Sequence, residues 1–235
     1  MLWIFGTSVS SQLFGFLSSV FVVRLMDKTT YGLYLAAYNK YSYFATFLGL
    51  GFAVTILQLC SGTFPQSRKN AVFRFALRFG SAFNILIMLM MLTLGVFLNH
   101  QGKGPYLIIM CAYPFFIYIF TCLRNVMRSN FYNSSYAVMC MSNALFICTG
   151  NIILTKFFGI IGLIFSTYIA YTLSIIIGVI LLRRKSFFVS LHNECDTLER
   201  SEKLQYLQSI SLDLLFPQQC RQLPIVFHIT ITRCL

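Results

Sequence analysis

Long uncharged apolar runs, parted by small groups of basic residues, constrain this chain more than any other feature. Up to Asn193 there is one acid, Asp27, against fourteen Lys or Arg. A helix of about 20 apolar residues, rising 1.5 Å per residue, crosses the ~30 Å hydrocarbon core of a bilayer. Six runs meet that requirement: Met1 to Val23, a second that begins after Tyr31-Gly32 and runs to Cys60 (interrupted by Lys40), Phe79 to Asn99, Tyr106 to Leu123, about Ser135 to Leu154 and Phe157 to Leu182. The charged fraction is only 10 %, against about 25 % in soluble domains. An all-α membrane protein with six transmembrane helices is therefore expected.

The formal charge of +12 does not point to nucleic acid. Its residues form no single patch or stripe. They stand between the apolar runs, where membrane topology wants them. Arg68, Lys69, Arg74 and Arg78 follow the second run, Arg124 and Arg128 the fourth, and Arg183-Arg184-Lys185 the sixth. The alternate loops are poorer, with Arg24 and Lys28 offset by Asp27, then Lys103, then Lys156. The positive-inside rule then puts both termini in the cytoplasm. Short loops predict neighbouring helices that are antiparallel and adjacent.

Met1-Leu2-Trp3 supplies no basic leader, so a cleaved signal peptide is not expected. Eight cysteines occur without a CxxC or a Cys/His cluster, and free thiols with no metal site are expected. Pro114 predicts a kink in the fourth span. Gly49, Gly51, Gly80, Gly159 and Gly162 permit close helix approach.

Residues 186–235 hold five of the six acids and no run long enough to span. They read as a separate, poorly ordered cytoplasmic tail after a membrane unit of residues 1–185. Thr197 to Ser211 has the pattern of a modest amphipathic helix. Pro224 to Thr232 resembles a short strand with nothing to pair.

Three passages carry a family resemblance. Val23-Arg24-Leu25-Met26, with Tyr31-Gly32-Leu33-Tyr34, links the first two spans. Phe47-Leu48-Gly49-Leu50-Gly51-Phe52-Ala53 lies deep in the second. Lys156-Phe157-Phe158-Gly159-Ile160-Ile161-Gly162, with Ser166-Thr167 and Tyr171, opens the sixth. In order and spacing they resemble the polysaccharide repeat-unit flippases, the Wzx-type (O-antigen) transporters of the MATE-like exporter superfamily. The acid often found in the second passage is absent here. The resemblance covers about residues 1–185 and implies one six-helix lobe of a two-lobed exporter fold. The body followed by an unrelated coda is what a truncated or frameshifted gene would leave. A second lobe or a homodimer would complete a cavity.

The resemblance implies an undecaprenyl-pyrophosphate-linked oligosaccharide as cargo, in a bacterial inner membrane. Its pyrophosphate needs cations, and charges inside spans are functional candidates by default. Lys40 leads, about nine residues (~13 Å) into the second span; the competing role is snorkelling among Tyr38, Tyr41 and Tyr43. Arg24, Arg78 and the neighbouring Asn39 complete the candidate substrate-binding set. Arg124 and Arg128, four apart on one face, suit either phosphate or lipid headgroups. Ser8, Ser10, Ser11, Gln12, Asn84, Asn143 and Asn151 either line a hydrophilic cavity or bond across helices.

No span contains Asp, Glu or His. Acid–base catalysis, metal binding and carboxylate-coupled antiport all need such groups. An enzyme is not expected, nor any cofactor. A multidrug or cation antiporter lobe and an inactive remnant are the alternatives to a flippase.

Overall fold

A computed structural model describes residues 2–60, 66–99 and 104–185. Among these residues every regular element is helical. Helix α1 spans Leu2–Leu25, α2 Lys28–Ala45, α3 Phe52–Cys60 and α4 Gln66–Asn99. Helices α5 (Pro105–Ile109), α6 (Tyr113–Ser129) and α7 (Asn133–Arg184) complete the series. The protein is an all-α membrane protein; α1, α4, the stretch from Pro105 to Ser129 and α7 are each long and apolar enough to cross a membrane. The predicted tail helix at Thr197 to Ser211 and the strand-like Pro224 to Thr232 lie outside the described residues.

The second span is broken, though not at Lys40, which sits within continuous α2. The break runs through Thr46 and a 3₁₀ turn at Leu48–Gly51, which Gly51 closes at φ +76°. At the break the Ser42 carbonyl keeps its backbone donor, Thr46 N–H at 3.2 Å, and hydroxyls add second bonds. Thr46 Oγ1 donates to the Ser42 carbonyl and Thr55 Oγ1 to that of Gly51, both at 3.1 Å. The fourth span breaks at Met110–Ala112, just before Pro114 in the first turn of α6. Pro114 lacks the N–H that would carry a continuous helix through this point.

Spans two and four run parallel at a constant offset. The Tyr41 and Tyr113 rings meet edge to face at 5.5 Å. Twelve residues on in each span, Asn125 Nδ2 donates to the Ala53 carbonyl at 2.5 Å. The two breaks are thus staggered, each facing unbroken helix in the other span.

Helix α4 corrects the third expected span, which was to start at Phe79. It begins at Gln66, so Arg68, Lys69, Arg74 and Arg78 ride on its first turns and not in a loop. Its 34 residues extend about 51 Å. The early turns are amphipathic: Asn70, Val72, Phe73 and Ala76 are buried, and helix persists because that face has neighbours in α3 and α6.

Spans five and six are one hairpin, α7, reversed at Gly159 (φ +58°, ψ −133°). That backbone geometry belongs almost solely to glycine. The first arm (133–158) and second arm (160–184) pair symmetrically about the turn. Ser174 Oγ donates to Asn143 Oδ1 at 3.2 Å, and Ser166 Oγ to Asn151 Oδ1. Asn151 Nδ2 continues to Ser18 Oγ of α1 at 2.8 Å. Helix α1 packs along α7, whereas α2 meets α5, α4 and α7. Adjacency in sequence does not make α1 and α2 principal neighbours, because the polar and small faces of α1 find their match on the hairpin.

The core gathers Ala37 and Tyr41 of α2, Ile87 and Met91 of α4, Leu107, Met110 and Tyr113 of the fourth span, and Ile160 and Ile164 of the second arm. Large apolar side chains on the outer faces of α1, α4 and α7 remain exposed, as expected where lipid is the solvent.

Candidate functional site

A polar groove of about 340 Å³ opens between α1, α6 and the first arm of α7. From α1 come Thr7, Ser8, Ser11, Gln12 and Gly15; from α6, Phe120 and Arg124. The first arm adds Tyr136, Cys140, Asn143, Ala144 and Ile147. Local sequence makes this wall. Positions 8, 11, 12 and 15 recur at the spacing of one helical face, so α1 turns hydroxyls, an amide and a glycine to one side.

Among the described residues of the lining, Arg124 is the one charged side chain. It is half-buried, within electrostatic reach of Tyr136, Cys140 and Tyr171. Among the described residues no carboxylate pairs with it. Asp27, their only acid, is exposed at the N-cap of α2. Phe120 meets Tyr171 edge to face at 5.3 Å. Asn143 shares a hydrogen bond with Tyr171 and accepts one from Ser174. The groove thus offers one cation, several hydroxyls and amides, and an aromatic wall. It can hold an anionic group and its polar substituents. Among the described residues no cluster of His, Cys, Asp and Glu could hold a metal ion.

Arg124 stands five residues from the end of α6, about 8 Å along its axis. Holding a cation there without a fixed counter-charge is costly in a membrane protein. An incoming anion would remove that cost.

The four sequence candidates lie elsewhere. Arg24 is exposed in the last turn of α1, Asn39 is exposed and Lys40 half-buried in α2, and Arg78 is exposed on α4. None lines this groove. The polar residues, by contrast, are shared between the two roles, with Asn143 in both. Ser8, Ser11, Gln12 and Asn143 line the groove, while Asn151 bonds across three helical segments. Asn84 is buried and donates to the Gly80 carbonyl of its own helix at 2.7 Å. Arg124 was legible as a cation inside a helix end, and the α1 face as a polar stripe in an apolar run. Nothing in the sequence joined them, because the contact is between the first span and the fourth and fifth.

A second, apolar hollow of about 520 Å³ lies between α1 and the same arm, lined by Gly6, Thr7, Ser10, Ala137, Val138, Met141, Ser142 and Leu145. Thr7 borders both spaces.

A family model described as "Polysaccharide biosynthesis protein" matches residues 1–207. No curated protein and no solved structure matches the chain.

Proposed function

Because the chain belongs to the polysaccharide biosynthesis protein family, we propose that it moves a lipid-linked, phosphate-bearing oligosaccharide repeat unit across the bacterial inner membrane. The observation that carries this reading is the Arg124 groove: one cation, polar side chains for sugar hydroxyls and, among the described residues, no carboxylate to neutralise it. The chain acts as a carrier and not as an enzyme. Arg124 meets the pyrophosphate as a charge-assisted, bidentate donor. Gln12, Ser8, Ser11 and Asn143 supply neutral donors and acceptors beside it. Both termini face the cytoplasm, so Arg124 lies in the cytoplasmic half, where cargo loads. Lys40, with Asn39 beside it and Arg24 at the outer end of α1, serves a later stage of passage, and Arg78 the cytoplasmic entry. A second copy or a further lobe forms the facing wall, and alternation of the two walls opens the groove to either side.

The test is complementation of export in a strain lacking this gene, reading surface polysaccharide. Arg124→Gln is expected to remove export at unchanged membrane abundance, and Arg124→Lys to retain part of it, since a lysine keeps charge but not the planar fork. Normal export with Arg124→Gln would refute the assignment.

A further inference from the structure

Two spaces flank the contact between α1 and the first arm of α7. One is the polar groove, and the other is the apolar hollow of about 520 Å³. Successive residues of a helix turn by about 100°. Ser8, Ser11 and Gln12 therefore line the groove, while Gly6 and Ser10 line the hollow. Thr7, between the two faces, borders both.

The two spaces lie at one depth. On the arm, the hollow runs from Ala137 to Leu145, four to twelve residues past the start of α7, or about 6–18 Å along its axis. Arg124 stands five residues from the end of α6, or about 8 Å. Val138 and Leu145, in the hollow's lining, are 47 % and 42 % exposed, so it opens on the outer face of the bundle.

The hollow has the size of a ligand site, about 300–1,000 Å³. The chain's own packing leaves it open: nothing lies within 4 Å of the place a Gly6 methyl would take. In a bilayer such a space holds hydrocarbon, and the question is whose.

Two occupants compete. A phospholipid keeps its phosphate at the membrane surface and carries two chains. The carrier lipid of a phosphate-linked repeat unit carries one, and its phosphate is drawn inward to Arg124. That chain cannot stay in the groove, where it would strip water from hydroxyls, amides and a guanidinium without bonding to them. It must leave sideways at that depth. The hollow is the apolar space adjoining the groove there. The seam at this level is made of small side chains, Thr7 and Ala137, both buried. The Ser18 to Asn151 hydrogen bond that ties α1 to the arm lies eleven residues beyond Thr7, about 16 Å along α1. The seam can part at Thr7 while that bond holds.

We propose that the hollow beside Thr7 seats the isoprenoid chain of the cargo where it leaves the phosphate bound at Arg124. This rests on the transport reading above. It gives the cargo two seats across one helix contact: anion in the groove, hydrocarbon in the hollow.

The test uses the purified full chain in phosphatidylcholine nanodiscs, with titration calorimetry corrected against empty nanodiscs. The probes are inorganic pyrophosphate and farnesyl pyrophosphate. Gly6→Phe fills the hollow from α1. It should weaken farnesyl pyrophosphate about 10-fold or more, the low end of what a misfit in an apolar pocket costs, and leave inorganic pyrophosphate unchanged. Ser142→Phe, which fills the hollow from the arm, should do the same. Arg124→Gln should weaken both probes. Wild-type affinity for farnesyl pyrophosphate in Gly6→Phe overturns the hollow and leaves the transport reading intact. If Gly6→Phe loses both probes, Ser142→Phe decides: selective loss of farnesyl pyrophosphate sustains the proposal, and any other result overturns it. Phosphatidylglycerol in the nanodisc that displaces farnesyl pyrophosphate but not inorganic pyrophosphate assigns the hollow to ordinary lipid and overturns the proposal. So does a wild-type chain that binds inorganic pyrophosphate alone. A wild-type chain that binds neither probe overturns the transport reading and the hollow with it.

Discussion

Gly80 illustrates how single positions hold this bundle. It faces Tyr118 across the α4–α6 contact, and a methyl group there would overlap the Tyr118 hydroxyl. That hydroxyl donates to the Ala76 carbonyl, one turn away on the same helix. Gly80→Ala must push the ring aside and break the bond. Overpacking and a lost buried hydrogen bond together should cost about 1–3 kcal/mol, read as a lower melting temperature in detergent. Tyr118→Phe alone should cost less, since it leaves the ring in place. At this scale the sequence was informative about residue kind and poor about residue partners. Gly80 was visible as a small residue suited to close approach, but no pattern named Tyr118 as what approaches. Arg124 stood out as a cation near a helix end, yet its value depends on Gln12 and Asn143, far away along the chain.

Among the elements, the α7 hairpin depends most on one residue. Gly159 connects two membrane-crossing arms by itself, at a φ of +58° and ψ of −133°. No atom crowds the space a side chain would take, so the penalty for Gly159→Ala is purely backbone strain, about 1–3 kcal/mol. Thermal unfolding should register that loss, with Gly6→Ala, where nothing crowds the added methyl either, as the neutral comparison. The sequence marked the apolar runs on both sides and Lys156 as the loop between them. It did not reveal that the loop shrinks to one glycine, because run length alone cannot tell a tight reversal from a short exposed loop. Helix α4 erred the other way. Its basic first turns carry the charge of a loop, although Asn70, Phe73 and Ala76 recur at helical spacing on a buried face.

For the molecule as a whole, the alternation of basic clusters makes topology testable. Alkaline phosphatase fused near Lys28, Lys103 or Lys156 should be active, and fused near Arg68, Asn130 or Lys185 inactive, if both termini are cytoplasmic. The reverse pattern would place Arg124 in the outer half and move loading to the other side. Which runs become helices could be read from charge and run length, since hydrocarbon thickness sets how long a run must be; where α4 begins could not. The pairing of spans could not. Helix α1 lies with α7 because Ser18, Asn151 and Ser166 complete one hydrogen-bonded chain, a solution only the assembled bundle exposes.

The one-residue turn at Gly159 also bears on how the protein is made. Two arms joined so tightly have no room for a separate loop to cross first. If both termini are cytoplasmic, the pair is expected to enter the bilayer together, as a hairpin led by exposed Lys156, Phe157 and Phe158. In that orientation the cost of carrying the Lys156 charge through the hydrocarbon would be met once, by two apolar helices inserting in the same event.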